Sequence, residues 1–343
     1  MTTQPLLSLP FEAFKTILTD ELGLEAYRAK QVWDWLFLRQ ATRFDQMTNL
    51  SKEARVKLTE RFPTIFPMAI DQQRSEDGTL KAAIPVGKDD VVEAVAIPGD
   101  ETKDGITFCL SCQVGCQAGC LFCRTGSMGF KRNLSREEII LQVLSLTRLT
   151  KKKPTNIVFM GMGEPFFNRD EVFGAIDILT RPEGLGLATR RITVSTVGVP
   201  SGIRAFIDRP GEVNLAVSLH AADDDTRSRL IPFNRKYPLK RLREAIVEYL
   251  EKTNRRVTFE VALLHGVNDG LDHILNLVQF CDGLLCHVNL IAFNPFPGCG
   301  YKPATADAVR EFKKTLKKAG IPITLRRSKG SDILAACGQL AGK

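Results

Sequence analysis

The chain has 343 residues, 44% hydrophobic and 25% charged, so it can bury a core and is neither a disordered tail nor a fibre. Lys and Arg total 47 against 39 Asp and Glu, a net charge of +8, which suits a polyanionic partner without demanding one. No stretch approaches the ~18 consecutive apolar residues of a membrane span, and the start lacks the basic-then-apolar pattern of a secretory signal. A cytoplasmic protein that stays off membranes is expected. At ~100–200 residues per domain, the length predicts two domains or one with an appendage.

Residues 1–62 read as an all-α accessory domain. Phe11, Phe14, Ile17 and Leu18 recur at helical spacing, as do Val32, Trp33, Leu36 and Phe37. Ser51 is placed to cap a helix that runs to Arg61. Pro63 and Pro67 then punctuate the chain. Residues 63–101 read as a β-hairpin extension, with runs at 80–86 and 91–97 flanking a Gly-Lys-Asp-Asp turn.

After residue 105 short apolar strands alternate with helices. The strands are expected at 106–111, 155–160, 191–196, 213–219, 256–263, 286–293 and 321–326. The helices are expected at 135–149, 169–180, 238–253, 271–281 and 304–319, and Ser135-Arg-Glu-Glu is a capping box for the first. This rhythm predicts an α/β fold whose 102–328 core is a partial (β/α) barrel. Chemistry is then expected at the C-terminal ends of the strands. Residues 329–343 form a C-terminal segment.

Nine cysteines is an odd number, and Cys109, Cys112, Cys116, Cys120 and Cys123 fall within 15 residues. Such a cluster reads better as metal-binding or catalytic than as a disulfide framework. Cys116, Cys120 and Cys123 have the spacing C-x3-C-x2-C in a loop just after the first core strand. Three thiolates can hold three corners of a [4Fe–4S] cubane and leave one iron open to a ligand. A zinc site is the alternative, with a fourth ligand from Cys109, Cys112 or a distant His, but no residue stands at a regular finger spacing. Other strands end in polar motifs: Met160-Gly-Met-Gly-Glu-Pro165, Ser195-Thr-Val-Gly, Ser218-Leu-His220 and Asn294-Pro-Phe-Pro-Gly. Together they favour a small-molecule site at one mouth.

The cysteine loop after a first barrel strand resembles the S-adenosylmethionine (SAM) radical enzymes. Adding Met160-Gly-Met-Gly-Glu-Pro165, Gly330-Ser-Asp-Ile-Leu-Ala-Ala-Cys337-Gly-Gln-Leu, Met47-Thr-Asn-Leu-Ser-Lys52 and Val92-Glu-Ala-Val-Ala-Ile-Pro98, the chain closely resembles the RlmN/Cfr family of radical-SAM RNA adenine methyltransferases. The resemblance covers nearly the whole chain and makes the core a radical-SAM barrel.

That resemblance implies roles residue by residue. Cys116, Cys120 and Cys123 hold the cluster. Gly163, Glu164, Ser195, Ser218, Leu219, His220 and Asn294 contact SAM. Cys337 becomes S-methylated, Cys109 is its resolving partner in a transient disulfide, and Glu93 is the proton acceptor. Two SAM molecules are used per turnover, and the methyl carbon reaches adenine through a covalent protein–RNA adduct. The implied substrate is 23S ribosomal RNA, with transfer RNA as a second candidate. A flavodoxin- or ferredoxin-type reductant and a monomeric protein are expected.

The chain departs from the family pattern in places. Cys112 stands where Ser is usual and Arg124 where a small residue is usual, and the 99–105 loop is lengthened. Gly330-Ser-Asp-Ile is closer to the branch that methylates carbon 8, which protects ribosomes from antibiotics. Carbon 2 is the main expectation and carbon 8 the alternative. A non-enzymatic metal-stapled RNA-binding protein is the rival from another class. Arg326, Arg327 and Lys329 lead directly to Cys337 and are the candidate phosphate contacts. The N-terminal helices are a further candidate RNA surface.

Overall fold

The first helices form where apolar residues recur at helical spacing. In the computed structural model, which describes residues 5–63, 71–99 and 105–342, α1 (Phe11–Thr16) continues into a turn of π-helix. α2 (Arg28–Phe37) and α3 (Lys52–Arg61) follow. Phe14, Leu18, Val32, Trp33, Leu36 and Phe37 are buried together, while Ile17 of the expected stripe is half-buried. Ser51 Oγ accepts the Ala54 N–H at 3.1 Å and starts α3 as expected. Pro67 and most of the 99–105 loop lie outside the described residues.

β1 (Asp71–Arg74), β2 (Leu80–Val86) and β3 (Asp90–Pro98) form an antiparallel meander, with the hairpin turn where the sequence placed it. It does not stand apart, because β3 pairs antiparallel with β4 (Ile106–Cys109), the first core strand. β5 (Gln113–Gly115), α4 (Arg124–Ser127) and β6 (Phe130–Asn133) then frame the cysteine loop. The β5–β6 hairpin escaped the sequence because its strands are short and show no alternation.

α5 (Arg136–Thr150) begins at the expected capping box: Ser135 Oγ accepts the Glu138 N–H, and Glu138 Oε2 accepts the Ser135 N–H. Next come β7 (Asn156–Phe159), α6 (Arg169–Thr180), β8 (Ile192–Thr196), α7 (Pro200–Ile207), β9 (Asn214–Ser218) and α8 (Asp224–Leu230). The chain continues with α9 (Leu239–Thr253), β10 (Val257–Leu263), α10 (Leu271–Cys281), β11 (Cys286–Ala292), α11 (Ala306–Lys318) and β12 (Ile323–Arg326). α7 and α8 were not expected, since each is too short to show a clear period.

The strands build one ten-stranded sheet in the order β1-β2-β3-β4-β7-β8-β9-β10-β11-β12, parallel from β4 onward. Among the described residues β1 and β12 are its two edges, so the barrel is partial. Because these strands run parallel, their C-terminal ends all lie on the same side of the sheet.

Candidate active site

Gln142 of α5 fixes the chain where it leaves β4. Its Oε1 accepts the Ser111 N–H at 2.8 Å and its Nε2 donates to the Ser111 carbonyl at 2.9 Å. The cysteine loop then closes on itself at a glycine. Gly115 has φ +76°, and a Cβ there would stand 2.0 Å from the Gly129 carbonyl oxygen, so only glycine fits. That carbonyl accepts the Cys116 N–H at 2.8 Å.

Cys116, Cys120 and Cys123 line a cavity at the strands' C-terminal ends. Gly163, Glu164, Ser195, Ser218, His220, Asn294 and Cys337 line the same cavity. Residues far apart in sequence thus meet as expected. Burial raises all three loop thiols, Cys116 to about 12. Among the described residues no three His, Cys, Asp or Glu side chains are gathered closely enough to hold a single ion.

Leu219 is the exception among the strand-end residues. Strand alternation turns Ser218 to the cavity and Leu219 into the core, where it is fully buried. Its N–H is donated to the Glu260 carbonyl, and its carbonyl accepts from Arg227.

Glu164 Oε1 accepts the Phe166 N–H at 3.0 Å and Oε2 the Val197 N–H at 2.7 Å. Burial nevertheless pushes its carboxyl up to about 7. His220 has a left-handed backbone (φ +58°), and its Nδ1 accepts the Ala262 N–H at 3.0 Å, so Nε2 carries the ring proton. Burial, and secondarily the Arg227 charge, push it down to about 3, so the ring is neutral. The Phe122 ring, between the second and third loop cysteines, packs on His220 at 4.6 Å.

Two buried ionic groups here were missed by the sequence. Arg227, 1% exposed, ties the strand ends together by donating to the carbonyls of Val197, Ser218 and Leu219 and to Asn234 Oδ1. It sits among the polar residues of α8, where no pattern marks it. Glu260, 4% exposed, is the one acid in the apolar strand Val-Thr-Phe-Glu-Val-Ala-Leu, a signal that was available.

Cys337 stands on a wall between two cavities. A second cavity shares Met160, Ile291, Asn294, Arg326 and Cys337 with the first and adds Cys109, Arg327 and Lys329. Cys337 is accessible because it faces these spaces, yet protein surrounds it and desolvation raises its thiol. Burial pushes Cys109 up to about 12, and Arg326 lowers both thiols.

Of the basic candidates, Arg327 is exposed. Arg326 is half-buried, with Nη1 3.7 Å from Met160 Sδ and 3.9 Å from Glu260 Oε2. Lys329 Nζ donates to the Pro98 and Gly99 carbonyls at 2.9 and 3.2 Å. Cys112 lines neither cavity; it is buried, and its carbonyl accepts from Leu134 and Asn168.

The segment carrying Cys337 is tied down on three sides. The Gly338 carbonyl accepts the Arg124 N–H at 2.8 Å, and the Leu340 carbonyl accepts Thr125 Oγ1 at 2.6 Å. Gln339 Nε2 donates to the Pro295 carbonyl and Asn294 Nδ2 to the Cys337 carbonyl. Glu93 lies under this segment and outside both cavity linings: its Oε2 accepts the Ala341 N–H at 2.7 Å, and its Oε1 pairs with Lys81.

Comparison with known proteins agrees with this geometry. The sequence model of the Radical SAM superfamily matches residues 110–281, and that of the ribosomal RNA large subunit methyltransferase N-terminal domain matches residues 5–63. The chain is 43% identical to probable dual-specificity RNA methyltransferases RlmN of Staphylococcus aureus strains bovine RF122 / ET3-1 and JH9, over 99% of this chain and 93% of theirs. A radical SAM methyltransferase from Sphaerobacter thermophilus superposes with a TM-score of 0.94 at 40% identity, covering 98% of this chain and 99% of that one. With its α/β radical-SAM core, its N-terminal domain and this identity along its whole length, the chain belongs to the RlmN family of radical SAM RNA methyltransferases.

Proposed function

We propose that this protein methylates carbon 2 of an adenine in 23S ribosomal RNA, with transfer RNA as a second substrate. The observation that carries the proposal is the position of Cys337, on a wall shared by a cofactor-sized cavity and a second cavity that holds Cys109. The matched N-terminal family supports a ribosomal substrate, and the relatives' dual-specificity names support a second RNA.

The residues present fit the cofactors. Three free thiols in one cavity suit a cluster with an open iron. Gly163, Glu164, Ser195, Ser218, His220 and Asn294 line the same space and would hold SAM. Together, cluster and SAM supply a 5′-deoxyadenosyl radical, which polar methyl transfer cannot replace at an electron-poor adenine carbon. Phe122, packed on His220, sets an aromatic wall beside the loop cysteines.

Cys337 carries the methyl group as S-methylcysteine and bonds its carbon to adenine from the shared wall. Glu93 accepts the proton lost from the ring. It is held by Lys81 and Ala341 here, so its action requires the C-terminal segment to shift. The Cys109 thiolate attacks the Cys337 sulfur, the bond from that sulfur to the methylene carbon breaks, and the carbon takes up a proton to become the methyl group of the released RNA, leaving a Cys109–Cys337 disulfide. A flavodoxin- or ferredoxin-type reductant restores both thiols.

The test is an anaerobic reaction of reconstituted protein with SAM, reductant and unmodified ribosomal RNA, read by nucleoside mass spectrometry. 2-Methyladenosine is expected. 8-Methyladenosine would move the protein to the other branch and make Gly330-Ser-Asp diagnostic. SAM cleavage without either product would overturn the substrate.

A further inference from the structure

On the reading that the first cavity holds SAM, we propose that Glu260 is a further binding residue of that site, its Oε2 accepting a hydrogen bond from a ribose hydroxyl beside Ser195 and Ser218. Glu260 lines the cavity at 4% exposure. Its Oε1 accepts from Asn289 Nδ2 at 3.0 Å. Its Oε2 is buried without a hydrogen-bond partner, and the nearest cation, Arg326 Nη1, stands off at 3.9 Å. An unpaired buried carboxylate oxygen is costly, so a ligand that supplies a donor gains by entering.

The sheet register says which donor. Glu260 is level with Ser218 on one neighbouring strand and with Asn289 on the other. In parallel strands, level residues point to the same face. Ser218 Oγ in turn lies 3.4 Å from Ser195 Oγ, and both serines line the cavity. The result is a row of two hydroxyls and one acceptor-only group.

SAM offers three kinds of donor: its ammonium, its adenine amine and its ribose hydroxyls. Glu164, which follows β7 and lines the cavity together with the three loop cysteines, is the acid we assign to the ammonium. An adenine edge holds its amine and its ring-nitrogen acceptors at fixed positions in one rigid plane, whereas each hydroxyl of a diol can turn to donate to the acid or accept from a serine. A vicinal diol both donates and accepts, which the row satisfies completely. Acids take ribose hydroxyls in the same way in dinucleotide sites. Arg326, whose Nη1 is 3.9 Å from Oε2, offsets part of the burial that raises the Glu260 carboxyl.

The test is equilibrium binding of SAM, 2′-deoxy-SAM and 3′-deoxy-SAM to anaerobically reconstituted wild type and E260Q, with thermal melts of the cluster-free chains. E260Q keeps an acceptor for Asn289 and removes the charge. It should weaken SAM about tenfold or more, as for a charge-assisted bond. One deoxy analogue should bind wild type comparably weakly and lose nothing further in E260Q. The cluster-free E260Q chain should melt no lower than wild type, since Gln keeps the Asn289 bond and Oε2 has no hydrogen bond to lose.

Multiplying losses would take Glu260 off the ribose, and a lower melting temperature would make it a structural group; either overturns the proposal. Equal SAM binding by wild type and E260Q sinks it alone. Failure of wild type to bind SAM sinks the cavity's assignment first. Glu260→Asp, which keeps the charge on a shorter stem, should fall between wild type and E260Q and decides the matter if E260Q does not fold.

Discussion

Lys81 Nζ stands 3.1 Å from Glu93 Oε1, an ion pair across the β2–β3 hairpin with both side chains about 10% exposed. The pair reaches further than its own strands. Lys81 also donates to the Leu334 carbonyl at 3.4 Å, and Glu93 Oε2 accepts the Ala341 N–H. Two oppositely charged groups thus grip the segment around Cys337 on both sides.

Removing one partner of a buried pair leaves the other uncompensated, at a typical cost of ~3–5 kcal/mol. Lys81→Met should therefore destabilise the protein strongly and make the 330–342 segment sensitive to protease under native conditions. Urea melts and limited proteolysis read the two effects. Wild-type protection of that segment in Lys81→Met would refute the grip.

Cys109 is assigned to release and not to bond formation. Cys109→Ala should form the protein–RNA adduct and stop there, so product falls to at most one equivalent per enzyme. Denaturing gels and mass spectrometry of the adduct check this. Normal multiple turnover would sink the assignment.

Arg326 and Arg327 are adjacent but differently placed. Arg327 is exposed, and its neutralisation should weaken RNA binding and lower the salt slope by about one. Arg326 is turned to the wall between the cavities and should change the slope less. Affinities of Arg327→Gln and Arg326→Gln over a salt series separate them. Identical slopes for wild type and Arg327→Gln would count against the phosphate contact.

Two groups of the cavity make opposite contributions to acid stability in the cluster-free chain. His220 titrates near 3 when folded against 6.5 in the open chain, so stability present above pH 6.5 is lost as pH falls toward 3. Glu164 titrates near 7 when folded against 4.5 unfolded, so the fold takes up a proton first and gains as pH falls from 7 toward 4.5. His220→Asn, which tolerates the left-handed backbone, should flatten the acid loss. Glu164→Gln should steepen it. Each difference approaches about 1.4 kcal/mol per pH unit where one proton separates the states. Urea melts from pH 4 to 8 check both signs, and parallel curves for the three proteins would disprove them.

What the sequence made legible was local. The spacing of Cys116, Cys120 and Cys123, the box at Ser135, and the polar ends at Glu164, Ser195, Ser218 and Asn294 are patterns within a few residues, and each lies where expected. Leu219 belongs to the same short motif as Ser218 and His220, but strand alternation turns its side chain into the core, which the motif alone does not show. Arg227 and the Glu93–Lys81–Ala341 contacts stayed hidden because their partners lie on distant elements and no periodicity connects them. Lys329, a candidate phosphate contact by sequence, donates to the Pro98 and Gly99 carbonyls, which only the fold brings to it.

The sheet has edges, and the second cavity lies at the gap. Its lining comes from Ile97 and Pro98 of β3, Thr107 and Cys109 of β4, and Thr324 to Lys329 at the other end of the strand order. A fully closed ring of strands would admit only what fits down its axis, such as a free nucleoside. A ring left ajar can be approached from the side by one residue of a long polymer while the rest of that polymer stays outside. On the role proposed for Cys337, that opening is a permission: one base of a folded RNA could reach the thiol without the RNA being cut.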